Sequence, residues 1–154
     1  HRSFISFVRH RLSNREEHGF IKLELIHFSN INSTYGYNVG DKLLKDVSRR
    51  IHNVISYNDR ICRLGSEFLI FMPNISTVID VQRIAGDLGA NMEKHFNIEG
   101  YSLTVRFVIG SANTIADGRD FSELMHKIGD DLFEQKRSMR FSSRIEDREK
   151  SIAH

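Results

Sequence analysis

DRICRLGSEFLIFMP, residues 59 to 73, decides the fold. Two apolar runs, Arg60 to Leu64 and Phe68 to Met72, flank the polar step Gly65-Ser66-Glu67. Strand-forming Ile61, Cys62 and Leu64 on one side and Phe68, Leu69, Ile70 and Phe71 on the other, with a glycine able to take a positive φ between them, predict a β-hairpin. Pro73-Asn74 closes it by removing a backbone donor and favouring a turn. Polar groups at a tight tip between two buried strands are held rigidly and shown to solvent, so chemistry is expected there.

Upstream of the hairpin, Asp41 is expected to open a helix whose apolar stripe is Leu43, Leu44, Val47, Ile51, Val54 and Ile55. SNINSTYGYNVG, residues 29 to 40, is rich in Ser, Asn and Gly and reads as a loop with room for one helical turn. Before it, FIKLELIHF, residues 20 to 28, alternates and then turns apolar, as a strand does on entering the centre of a sheet. It places Glu24 among Leu23, Leu25 and Ile26, where a carboxylate is either exposed on one face or held by a cation. Residues 2 to 17 put Phe4, Ile5, Val8 and Leu12 near helical spacing, with Gly19 as the expected stop.

Downstream, Ser76 or Thr77 caps a helix facing inward through Val81, Ile84, Ala85, Leu88 and Met92, and Asn97 to Gly100 ends it. SLTVRFVIGSA, residues 102 to 112, reads as a central or near-central strand interrupted by Arg106. Asp117-Gly118 turns the chain, and Asp120 can cap a last helix built on Phe121, Leu124, Met125, Ile128 and Leu132. Its C-terminal turn carries Lys136, Arg137 and Arg140, which suit either the helix dipole or an anionic ligand. RIEDREK, residues 144 to 150, mixes charges without an apolar face, so residues 1 to 143 are expected to form one domain and 144 to 154 a charged linker toward a following one. Helix, strand, helix, hairpin, helix, strand, helix gives an α/β (α+β) sandwich: a mixed central sheet covered by helices, close to a ferredoxin-like βαββαβ core.

Composition narrows function. The 154 residues hold 22 Lys and Arg against 20 Asp and Glu, a +2 balance without the clustered excess of a nucleic-acid binder. Phe68 and Phe71 fall on opposite faces of one strand, which also argues against an RNA-stacking sheet. The eight His are scattered and none has metal-ligand spacing beside Cys62, so zinc is not expected. Lone Cys62, read as a small buried residue, suits a reducing, cytoplasmic setting. No window approaches the roughly 18 apolar residues of a membrane span, so no membrane contact by this domain is expected.

The whole chain resembles the GGDEF domains, which condense two GTP molecules into cyclic di-GMP on a nucleotidyl-cyclase-like fold. The resemblance is carried by the order and spacing of His1-Arg2-Ser3-Phe4, Phe28-x-x-Ile31-Asn32-x-x-Tyr35-Gly36, Gly40-Asp41, Asp59 with Arg63, Glu67-Phe68, Pro73, Ile109-Gly110, and Lys136 with Arg140. It implies that Asn32 and Asp41 meet the guanine edge, that Lys136 and Arg140 meet the triphosphate, and that Phe28 and Ser29 line the nucleotide, Ser29 standing in place of a phosphate-reaching Lys. Glu24 takes the place of the family's first metal-binding Asp, with Glu67 as a second candidate ligand for Mg²⁺, while Ile26 takes the next acidic position and carries no charge. Asp59 is the remnant of the product-inhibition site, whose Arg position is Ser56 here.

The signature itself departs from the pattern. Aligned on Glu67-Phe68 it reads Leu64-Gly65-Ser66-Glu67-Phe68, with Ser66 where a metal-binding, catalytic carboxylate is required. Counted from Arg63, the turn is one residue shorter than the family's. In-line attack of a ribose hydroxyl on an α-phosphate needs carboxylates for the metal and a base for the hydroxyl, and loss of the base alone costs ~10²–10⁴ in rate. The resemblance therefore implies a degenerate, catalytically inactive regulatory domain that holds GTP, with Mg²⁺ where Glu24 keeps it, and modulates an attached or partner EAL phosphodiesterase domain. Two alternatives stand beside it: a working diguanylate cyclase, which would act as a homodimer, and an interaction or dimerisation module that binds no nucleotide.

Overall fold

The computed structural model describes the backbone of residues 2–153 and the side chains of residues 2–140. In chain order the elements are α1 (Arg2–Leu12), β1 (Gly19–Leu25), α2 (Phe28–Tyr35), α3 (Tyr37–Val54), β2 (Arg60–Leu64), β3 (Glu67–Met72), α4 (Val78–Met92), β4 (Phe96–Ile98), β5 (Tyr101–Leu103), β6 (Phe107–Asn113) and α5 (Phe121–Ala153). The main sheet has the order β2-β3-β1-β6, and β4-β5 form a separate two-stranded ribbon. This is the expected ferredoxin-like arrangement of helices on a sheet.

The strand pairs are antiparallel throughout the described sheet, which corrects the mixed pairing expected from strands separated by helices. Connectivity explains this. The crossover through α2 and α3 returns the chain so that β2 runs with β1, but the hairpin then inserts β3 between them, pointing the opposite way. The α4 crossover likewise sets β6 parallel to β3 while β1 lies between the two.

Period-two alternation gives the sheet two buried faces. Leu23, Phe68, Ile70 and Met72 pack with Leu43, Val47 and Ile51 of α3 and Ile84 and Leu88 of α4. Phe20, Leu69, Phe71, Val108 and Ala112 pack with Val8 and Leu12 of α1 and Leu124, Ile128 and Leu132 of α5. Phe68 and Phe71 thus serve opposite cores, as the alternation predicts.

Several expected boundaries move, each for a local reason. Helix α1 stops at Leu12, not near Gly19, because the Arg119 guanidinium donates to the carbonyls of Leu12, Asn14 and Glu16. Strand β1 ends at Leu25: Ile26 N–H donates to the Arg106 carbonyl, and His27 at φ 60° turns the chain into α2. Residues 29 to 40, expected as a loop, are mostly helical, because Phe28 and Ile31 pack on the core while Ser33, Thr34 and Tyr35 face solvent. Asp41 consequently lies inside α3 and does not open it. Thr77 does cap α4, reciprocally with Asp80.

The 102–112 stretch splits between β5 and β6, and β6 is an edge strand of the sheet. Strand β2 is the other edge, largely exposed, and Cys62 on it is only half-buried. Helix α5 continues through residues 144 to 153, so Lys136, Arg137 and Arg140 lie mid-helix, away from its dipole's end. The reading of 144–150 as a solvated face lies outside the described side chains, and His1 lies outside the described residues.

One buried polar group ties the sheet's base together. His18 is 0% exposed. Its Nδ1 accepts from Asn74 N–H, which leaves Nε2–H to donate to the Arg11 carbonyl and Asn14 Oδ1. Burial, partly offset by the Arg11 carbonyl, lowers its pKa below the ordinary histidine value. The unfolded chain therefore takes up the proton first on acidification. The stability from neutral His18 is complete above about pH 6.5 and falls as pH drops below it. Urea unfolding of the wild type against His18→Gln at pH 7.5 and 5.5 checks this: the wild type is expected to lose more stability between the two, and equal losses would contradict it.

Candidate functional site

The hairpin closes through Gly65 and Ser66 alone, with Leu64 paired to Glu67 and Arg63 to Phe68. Gly65 sits at φ 61°, the left-handed conformation such a short turn needs. The Ser66 carbonyl accepts from Leu25 N–H and the Gly65 carbonyl from Arg63 Nη1 at 2.9 Å, so the tip is tied to the end of β1. No carboxylate lies between Leu64 and Glu67. Leu64 itself is 40% exposed, an apolar side chain beside the tip.

One residue further in, Glu67 of β3 stands directly opposite Glu24 of β1. Like charges placed so repel, and each is answered. Lys136 Nζ of α5 lies 2.8 Å from both carboxylate oxygens of Glu24, and Lys22 Nζ lies 3.3 Å from Glu67. This resolves the alternatives for Glu24: a cation holds it. The pair Glu24–Lys136 is partly withdrawn from water, with side chains 18% and 32% exposed.

The placement of Lys136 follows from how α5 grips the edge of β6. Gln135 both accepts from Ile109 N–H and donates to the Ile109 carbonyl; one turn earlier Asp131 accepts from Ser111 N–H and Lys127 donates to the Ser111 carbonyl. These side chains, four residues apart, do for the edge what a neighbouring strand would do. Gly110 lets the helix approach, since a Cβ there would come within 2.8 Å of the Ile128 carbonyl oxygen.

Beside the ion pair opens a cavity of ≈ 500 Å³ lined by Glu24, Leu25, Ile26, His27, Arg106, Lys136, Met139 and Arg140. It gathers Glu24, Lys136 and Arg140 as expected and adds Arg106, which the sequence shows only as an interruption in a strand. A separate cavity of ≈ 540 Å³, on the α3 side of the hairpin, is lined by Asp41, Leu44, Lys45, Ser48, Ile61, Arg63 and Phe68. Asn32 lies at the α2–α3 joint against Gly40, whose Cβ, if present, would sit 1.8 Å from Asn32 Oδ1 and 3.2 Å from the Phe28 ring. Asn32 and Phe28 thus both pack against Gly40, the residue before Asp41, and Ser29 is exposed in the first turn of α2. Asp59 is remote from the tip: at the base of the hairpin it accepts from Ser56 N–H at 2.8 Å, and burial raises its pKa above the ordinary aspartate value.

A nucleotide's Mg²⁺ is held by one or two protein carboxylates together with phosphate oxygens and water, so the state of Glu24 and Glu67 decides whether it fits. Both carboxylates are already engaged by ammonium groups, Ser66 is neutral, and the described residues contain no cluster of three acidic, His or Cys side chains able to hold a metal. The residues present do not fit Mg²⁺. They fit an anion.

The sequence profile described as "Diguanylate cyclase, GGDEF domain" matches residues 1–142. The chain is 36% identical over 107 residues to the signaling protein YkoW of Bacillus subtilis, covering 68% of this chain and 13% of that protein. It is 27% identical over 114 residues to the cyclic di-GMP phosphodiesterase NbdA of Pseudomonas aeruginosa, covering 74% of this chain and 15% of NbdA. The chain thus spans less than a sixth of either relative's length. Its fold matches the crystal structure of the GGDEF domain of YfiN (TpbB) from Pseudomonas aeruginosa with a TM-score of 0.82 at 23% identity, covering 89% of each chain.

Gly110→Ala tests the seating of α5. It is expected to push α5 off β6 and cost about 1–3 kcal/mol in urea unfolding, and an unchanged stability would show that α5 is not held at this distance.

Proposed function

The chain belongs to the GGDEF domain family, and we propose that it is a regulatory member in cyclic di-GMP signalling that binds GTP and does not condense it. The observation that carries this reading is the two-residue tip. Joining two nucleotides requires negative side chains to hold metal and to take the proton of the attacking hydroxyl, and Gly65-Ser66 supplies neither. Glu67 is too far into β3 to be part of the turn, and Lys22 already pairs with it.

Nucleotide binding is supported by what remains around the tip. The triphosphate goes to the cavity of Lys136, Arg140 and Arg106, and the guanine edge to the Asp41 carboxylate, which lines the cavity on the α3 side of the hairpin, with the Asn32 amide against the preceding Gly40. A phosphodiesterase among the relatives supports an EAL domain as the regulated neighbour, with residues 144 to 154 as the connection toward it. Bound GTP then favours one arrangement of the two domains, by a free energy equal to its differential affinity for them.

Calorimetric titration of the chain with GTP tests this. Micromolar-range binding is expected, weakened about tenfold in Asp41→Ala, the loss of one charged hydrogen bond. Gly40→Ala, which displaces the Asn32 amide, is expected to weaken it similarly. No heat at millimolar GTP would overturn the reading.

A further inference from the structure

The carboxylates that face each other across β1 and β3 each carry a lysine, and this has a consequence for the ligand. For Mg²⁺ to enter between Glu24 and Glu67, Lys136 would have to leave both Glu24 oxygens. Magnesium also sheds its water reluctantly and demands near-octahedral oxygen geometry. Meanwhile the cavity beside the pair is lined by Arg106, Lys136 and Arg140 against the single carboxylate of Glu24. Among the described residues no carboxylate forms an ion pair with Arg106 or Arg140, both of which line this cavity, Arg106 standing between it and a neighbouring cavity that holds Glu93.

Arg106 is well placed for such a role. Its carbonyl accepts from Ile26 N–H at 2.9 Å, which ties its backbone to the end of β1, and the preceding Val105 is 7% exposed. The exposed Arg106 side chain therefore projects from a fixed point on the cavity wall. A planar guanidinium there can form two parallel hydrogen bonds to phosphate oxygens.

Resting on the nucleotide-binding reading above, we propose that this cavity takes the triphosphate of GTP as a metal-free polyanion. Arg106 is its third cationic ligand beside Lys136 and Arg140, and the Lys136–Glu24 pair occupies the place a metal would need. These three cationic side chains then do what Mg²⁺ does elsewhere, neutralising the phosphate oxygens, but they leave no Lewis acid at the α-phosphate.

Calorimetry with GTP in excess Mg²⁺ and, separately, in EDTA tests this on the wild type, on Arg106→Gln and on the conservative Arg106→Lys, each checked for folding by circular dichroism. Affinity in EDTA is expected to equal or exceed that in Mg²⁺, and inorganic triphosphate in EDTA is expected to compete. Arg106→Gln should weaken binding about tenfold or more, and Arg106→Lys should recover part of it. Binding that appears only with Mg²⁺, or Arg106→Gln binding as tightly as the wild type, overturns the inference while leaving nucleotide binding in place. Silence in both buffers overturns nucleotide binding and this inference together.

Discussion

Strand β1 is covered by helices on both faces, so a charge within it has to be answered from inside the fold. Glu24 is one such charge, and Lys136 of α5 answers it at 2.8 Å. Much else follows from bringing the two together. The helix must approach β6 closely, which Gly110 permits. It must be held in one register, which Gln135, Asp131 and Lys127 enforce by bonding the backbone of Ile109 and Ser111. With α5 so fixed, Arg140 falls one turn beyond Lys136, and the space left beside β1 becomes a cavity with positive walls.

The same pair decides what the site can do. A carboxylate free to bind metal and a carboxylate bound to an ammonium group are different reagents, although the sequence writes both as Glu. At the hairpin tip the second deficit is geometric. A two-residue turn has room for Gly65 and Ser66 only, and its backbone groups are spent on Leu25 and Arg63. On the proposed reading, anion recognition survives both changes, whereas phosphoryl transfer loses its charges.

Much of the fold was legible because alternation and helical spacing report burial directly: the hairpin, the α3 and α4 stripes, the Thr77 cap and the opposite facing of Phe68 and Phe71 all read correctly. Residues 28 to 40 did not, because two apolar anchors, Phe28 and Ile31, outweighed a polar composition that argues for loop. Antiparallel pairing was hidden because strand order, not local sequence, sets direction. Glu24, Lys136 and Arg140 were singled out by resemblance, and the structure brings them to the wall of one cavity. That Arg106 joins them there was not legible: an arginine inside an apolar run signals only an interruption, and its place on the cavity wall depends on where β5 stops and β6 begins.

On the proposed reading, a tip without a carboxylate, beside carboxylates held by lysine, does not drive condensation of GTP. Incubating the chain with GTP and Mg²⁺ and separating the nucleotides by chromatography tests it most directly. GTP is expected to persist unchanged over hours. Cyclic di-GMP accumulating at an ordinary enzymatic rate, on the order of one turnover per second or faster, would contradict it.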